Sequence, residues 1–116
     1  MVEVTEQFER WWDTLNEDER VSIDGMIRIL EARGPDLGAP FTSPESGSRY
    51  AGLRELRVPH QSDIICLRYA TDEARSTLIL LIGVASGSAQ QACPPDQVEQ
   101  ADRIYAEYLA RRQRPH

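Results

Sequence analysis

Leu53-Arg54-Glu55-Leu56-Arg57-Val58-Pro59-His60 is the stretch on which the reading of this chain turns. It has the length and composition of a β-strand, yet neither of its faces is simple core. One alternation carries Arg54, Leu56 and Val58, and the other carries Leu53, Glu55 and Arg57. Pro59 has no N–H to give to a ladder, so the strand is expected to end there and release His60 into a turn or rim. Two guanidinium groups and an imidazole on and beside one strand suit binding or cutting a phosphodiester. The competing reading is an ordinary half-buried strand with solvated arginines.

Two more strands follow. Residues from about Asp63 to Ala70 place Ile65, Leu67 and Tyr69 on one face and Ile64, Cys66, Arg68 and Ala70 on the other. Arg68 is therefore a charge among apolar neighbours, either an exposed edge position or a site group. Ser76–Gly83 is almost continuously apolar, which predicts the central, doubly covered strand, with a turn around Thr71-Asp72-Glu73 before it. Val84 to Gln91 is a small-residue stretch without charge. Asp96 and Glu99 then give a capping signature after Pro94-Pro95, opening a last helix with Val98, Ala101, Ile104, Tyr105, Tyr108 and Leu109 on its apolar face. The basic run Arg111-Arg112-Gln113-Arg114 at its end suits the helix macrodipole and needs no ligand.

Upstream, Val4, Phe8, Trp11 and Leu15 recur at helical spacing and predict an amphipathic first helix. Asn16 with Glu19 marks the start of a second, which carries Ile23, Met26, Ile27 and Leu30 and closes at Gly34-Pro35. The short break between them implies a helical hairpin. Gly34 to Gly52 is rich in Gly, Pro and Ser and reads as loop. The expected fold is thus α+β in a single domain over residues 1–116: an N-terminal helical hairpin, a three- to four-stranded antiparallel sheet and a C-terminal helix.

Composition bounds the function. With 41% hydrophobic and 28% charged residues the chain has a globular balance, and no apolar run approaches the roughly 20 residues of a membrane helix. The acidic, polar N-terminus does not read as a secretory signal, so a cytoplasmic protein is expected, with no membrane partner. Cys66 and Cys93 are too few and too irregularly spaced for a disulfide framework or a zinc site; Cys66 reads as a small core residue and Cys93 as a loop residue. The net charge of −6 argues against broad electrostatic capture of nucleic acid. All 13 basic residues are arginine, however, and five of them lie between Arg49 and Arg75 against four acids, so any anion-binding surface is local.

No nucleophile elbow is present, and Gly83-Val84-Ala85-Ser86-Gly87 lacks the lysine of a phosphate-binding loop. His60 has no neighbouring ligand motif, and no cofactor or metal is implied. What remains is Arg54, Arg57, His60 and Arg68 on adjacent strands. Such a set could hold a phosphate and stabilise the extra negative charge of a pentacovalent transition state, with His60 as acid or base. A metal-independent ribonuclease, transferring a ribose 2′-hydroxyl onto the adjacent phosphate, needs no more.

The run Gly34-Pro35-Asp36-Leu37-Gly38-Ala39-Pro40, followed by Leu53-Arg54-Glu55-Leu56-Arg57-Val58 and His60, resembles the RelE/HigB-like toxins of bacterial and phage toxin–antitoxin pairs, and most closely their phage-derived HigB branch. Leu80-Leu81-Ile82-Gly83 and Ala101-Asp102-Arg103-Ile104-Tyr105-Ala106-Glu107-Tyr108-Leu109 extend the resemblance over nearly the whole chain. It implies a RelE-like fold and an mRNA endoribonuclease, acting free or on the ribosome, that inhibits translation and is silenced by a helix-turn-helix antitoxin. Arg54 stands at the motif lysine, Arg57 at the motif arginine and His60 at a histidine that commonly follows. The family's second-strand arginine falls near Cys66, where the nearest here is Arg68. The Gly-Asp-Lys and Trp-Tyr that usually follow the LLIG-like strand are missing from Val84–Gln91. These departures favour an alternative: a catalytically degenerate RelE-fold binding protein that keeps only the antitoxin interface or another protein interface.

Overall fold

Apolar residues on both alternations let a strand be covered from two sides, and two segments of this chain satisfy that condition. The computed structural model describes residues 1–34, 37–38, 41–44, 47–86, 93 and 96–112. Parts of the turn-rich connection (35–36, 39–40), residues 87–91 of the small-residue stretch, Pro94-Pro95 and the tail from Gln113 lie outside them, as do the side chains of Ala85, Ser86 and Asp96. The elements are β1 (Val2–Val4), α1 (Glu6–Trp12), α2 (Glu17–Arg33), β2 (Thr42–Pro44), β3 (Leu53–His60), β4 (Asp63–Asp72), a 3-10 turn (Glu73–Arg75), β5 (Thr77–Ser86) and α3 (Asp96–Arg112).

The strands form one sheet in the order β1-β5-β4-β3-β2. The fold class is the expected α+β, but the sheet is five-stranded and mixed, because β1 runs parallel to β5 while the other pairs are antiparallel. Two short strands account for the difference. Val4 does not belong to the first helix: Val2–Val4 pairs with Leu78–Leu80, and Thr5 then caps α1 by accepting from the Phe8 N–H. Thr42–Pro44, read from sequence as loop, pairs with Arg54–Leu56. Ser76–Gly83, expected to be the central strand, lies one place off centre: β4 is central and β5 stands beside it, because the short β1 adds only one strand on the far side of β5 while β3 and β2 lie beyond β4.

Pro59 does not end β3; Pro59 pairs with Ile64 and His60 with Asp63. The reason is which side its missing N–H faces. Arg57 donates its N–H outward to the Phe41 carbonyl. Pro59, two residues on, faces the same way, past the last β2-side partner, so no ladder bond is lost.

The helices follow their local signals. Asn16 and Glu19 form a reciprocal capping box at the start of α2, and Gly34 closes it at φ +54°. Phe8, Ile23, Ile27 and Leu30 pack from α1 and α2 onto Leu56, Val58, Ile65, Leu67, Tyr69 and Leu80. Val98, Ala101 and Ile104 of α3 cover the opposite face at Leu53, Ala70, Ile79, Leu81 and Ile82. A register shift between Arg68 and Tyr69 turns both Leu81 and Ile82 toward α3.

Cys66 and Cys93 form a disulfide, with Cα atoms 5.8 Å apart, which corrects the reading of both as separate core and loop residues. Two cysteines 27 residues apart carry no framework pattern; only the fold shows that they meet. The bond ties the segment before α3 to the central strand. At the other end of α3, Arg75 joins Glu3 of β1 to Asp72 of β4, Tyr108 donates to Glu3, and Arg112 reaches Asp72.

Three outcomes follow from this architecture. A Cβ on Gly83 would overlap the Trp11 indole, so Gly83→Ala should destabilise the domain by about 1–3 kcal/mol in denaturant melts, and Trp11→Leu should recover part of the loss. Equal stability of wild type and Gly83→Ala would remove the Trp11–Gly83 contact as a constraint. Reducing the disulfide opens a 27-residue loop in the unfolded chain and should cost about 3–4 kcal/mol, read as a lower melting temperature with reductant in wild type but not in the Cys66→Ser/Cys93→Ser variant. Finally, hydrogen bonds from Arg75 hold the carboxyls of Glu3 and Asp72 below the usual carboxylate range. Folded values below unfolded ones mean this stabilisation is complete above roughly pH 4–5 and is lost as pH falls through the folded values. Arg75→Met should flatten that acid limb of a stability–pH profile; an unchanged limb would assign acid sensitivity elsewhere.

Candidate functional site

The register of β3 on β4 places Glu55 opposite Arg68 and Arg57 opposite Cys66. Leu53, Glu55 and Arg57 share an alternation, as do Cys66, Arg68 and Ala70. Since Leu53 and Ala70 lie under α3, all four opposed residues occupy the α3 side of the sheet. There Arg68 Nη1 lies 3.3 Å from Glu55 Oε2, and Arg57 Nη1 lies 3.7 Å from Glu55 Oε1. The Arg68 side chain is 2% exposed, that of Glu55 14% and that of Arg57 29%. The edge reading of Arg68 is thus overturned: it sits in the central strand, buried.

A buried guanidinium is tolerable only with an anion beside it, and Glu55 is that anion. Each oxygen of the carboxylate thus has one arginine within ion-pair distance. Arg57, the most open of the three, can extend donors to an anion arriving from solvent. Glu55 is the residue that sequence reasoning missed. Its signals were its shared alternation with Arg57 and its position opposite an arginine once the strands are paired.

The other two expected site residues lie on the opposite face. Arg54 follows the Leu56 and Val58 alternation and donates to the Tyr69 hydroxyl. Burial pushes the Tyr69 pKa up, and the Arg54 bond acts against that rise. Both line a cavity of about 650 Å³, shared with Thr42, Thr71 and Glu73. His60 Nδ1 lies 2.9 Å from Ser22 Oγ of α2, where the tautomer decides which group donates. The sheet therefore brings Arg57 and Arg68 together and separates both from Arg54 and His60. One metal-type grouping exists among the described residues: Glu55, Cys66 and Cys93 place their ligand atoms within 4.8 Å of one another.

No helix among the described residues is long and apolar enough to cross a membrane. Two curated relatives from Mycobacterium tuberculosis are similar to this chain. One, named "Putative toxin HigB3", is 38% identical over 82 residues, covering 71% of this chain and 70% of the relative. The other, named "Putative toxin HigB2", is 30% identical over 106 residues, covering 90% of this chain; the chain spans about half of that relative's length, 52%. Residues 10–106, which include the packing residues of α2 and α3 and the whole Arg57–Glu55–Arg68 arrangement, match the family described as phage derived protein Gp49-like. This chain belongs to that phage-derived, Gp49-like family.

Proposed function

We propose that this chain is the toxin of a toxin–antitoxin pair, a metal-independent endoribonuclease that cleaves mRNA and is neutralised by a cognate helix-turn-helix antitoxin. The observation that carries the reading is the convergence of Arg57 and Arg68 on Glu55, on one face of the sheet. The toxin names of the two similar proteins support it.

In this reading Glu55 takes the proton of a ribose 2′-hydroxyl, whose oxygen bonds to the adjacent phosphorus as the bond to the 5′-oxygen breaks. Water supplies the proton that the departing 5′-oxygen needs. Arg57 meets the charge that builds on the phosphorane oxygens, where fixed donors are worth most. Arg68, covered by protein, is a positioning residue that aims the Glu55 carboxylate. Arg54 and His60 serve the other face, through Tyr69 and Ser22.

A second reading is favoured by the burial of Arg68. A family nuclease site whose second-strand cation is covered describes a binding protein that keeps an antitoxin interface and no longer cuts RNA.

Inducing the protein in a bacterial host, wild type beside Arg57→Ala, separates the two. The nuclease reading expects growth arrest with new transcript 5′ ends, and at least ~100-fold less cleavage in the variant at equal soluble yield. Arrest without new ends points to a cellular target other than mRNA for the same fold. Growth without arrest, from soluble and folded protein, establishes the binding-only reading.

A further inference from the structure

Cys66 and Cys93 are both buried, and the carboxylate beside them belongs to the only charged side chain in their ligand grouping. Two sulfurs and one carboxylate oxygen, mutually within 4.8 Å, form a donor set that a borderline-soft divalent ion prefers and that magnesium or calcium does not. We propose that, once a thiol or phosphine reductant has given two electrons to the disulfide and opened it to two thiols, the Cys66 and Cys93 thiolates, their protons released to solvent, and the Glu55 carboxylate bind one zinc-type cation.

The geometry requires little movement. In a tetrahedral zinc site, ligand sulfurs stand about 3.7 Å apart and a sulfur and a carboxylate oxygen about 3.5 Å apart. The cysteine Cα atoms, 5.8 Å apart, are close enough for both sulfurs to reach one ion. Glu55, already within 4.8 Å, needs to close by roughly one ångström. A carboxylate has about four lone-pair positions, so Glu55 can give one oxygen to the ion and keep an arginine on the other. Three protein ligands leave the fourth position to water.

The site and the disulfide exclude each other, since both use the same two sulfurs. The cation also takes the carboxylate that orients Arg57 and Arg68, so a loaded protein has its arginine pair rearranged. This consequence concerns the residues themselves and does not depend on whether RNA is the substrate.

Cobalt titration of the whole chain, reduced with a phosphine and held without oxygen, tests the assignment. The expected result is one cobalt per chain, with thiolate-to-cobalt charge-transfer absorption, the intense visible bands of a tetrahedral site, and displacement by zinc. Unreduced wild-type protein should show none of these, a control that needs no variant. Cys66→Ser/Cys93→Ser should lose the charge-transfer absorption while circular dichroism shows it folded, and Glu55→Gln should bind cobalt at least ~10-fold more weakly. The proposal is overturned if reduced, folded protein gives no thiolate–cobalt absorption, or if oxidised protein takes up cobalt equally well. Unchanged affinity in Glu55→Gln would overturn the three-ligand site.

Discussion

The pairing of Glu55 with Arg68 across β3 and β4 is the constraint on which the rest of this sheet depends. Arg68 lies in the central strand at 1% exposure, and a guanidinium cannot be left there without an anion. A one-residue slip of β3 would bring Arg54 or Leu56 opposite it. The same slip would turn Leu56 and Val58, which pack beneath α2, toward α3, and every other side chain of β3 would change faces with them. Hydrophobic burial on one face and ion pairing on the other therefore specify the same register. Arg57 opposite Cys66 follows from it, and so does the meeting of Cys66, Cys93 and Glu55.

Much of this was legible in the residues. The Asn16–Glu19 capping box, the Gly34 stop and the presence of three long strands are local signals, although each strand runs two or three residues past the end its residues announced, to His60, Asp72 and Ser86. The misses share a physical origin. Val2–Val4 and Thr42–Pro44 have three residues each and no strand pattern of their own; they are strands because the edges of β5 and β3 offer unpaired groups to them. Val4 lies four residues before Phe8, which imitates a helical stripe, and only the ladder to Leu80 decides otherwise. Pro59 stays in β3 because, among the described residues, the sheet has no neighbour on its N–H side.

The site was legible to a lesser degree. Alternation alone separates Arg54 from Arg57, so the division of the arginine set between two faces could be read directly from the residue order. What alternation could not give was the register between strands, and hence Glu55 as the common partner of Arg57 and Arg68. The cysteine pair was out of reach for the same reason: a sequence separation of 27 and a turn through β5 part residues that the fold places side by side.

The burial gradient along the arrangement also constrains how a substrate could be held. Exposure rises from Arg68 through Glu55 to Arg57, so on the proposed function Arg57 is the side chain of the three most open to an incoming phosphate. One accessible arginine makes about one phosphate contact, and single-strand binding from so few contacts is weak, with a shallow salt dependence. The net charge of −6 adds no general attraction to offset this, and the acidic residues of α1 and α2 work against it. On the proposed function, therefore, contacts beyond Arg57 have to contribute to the affinity for RNA.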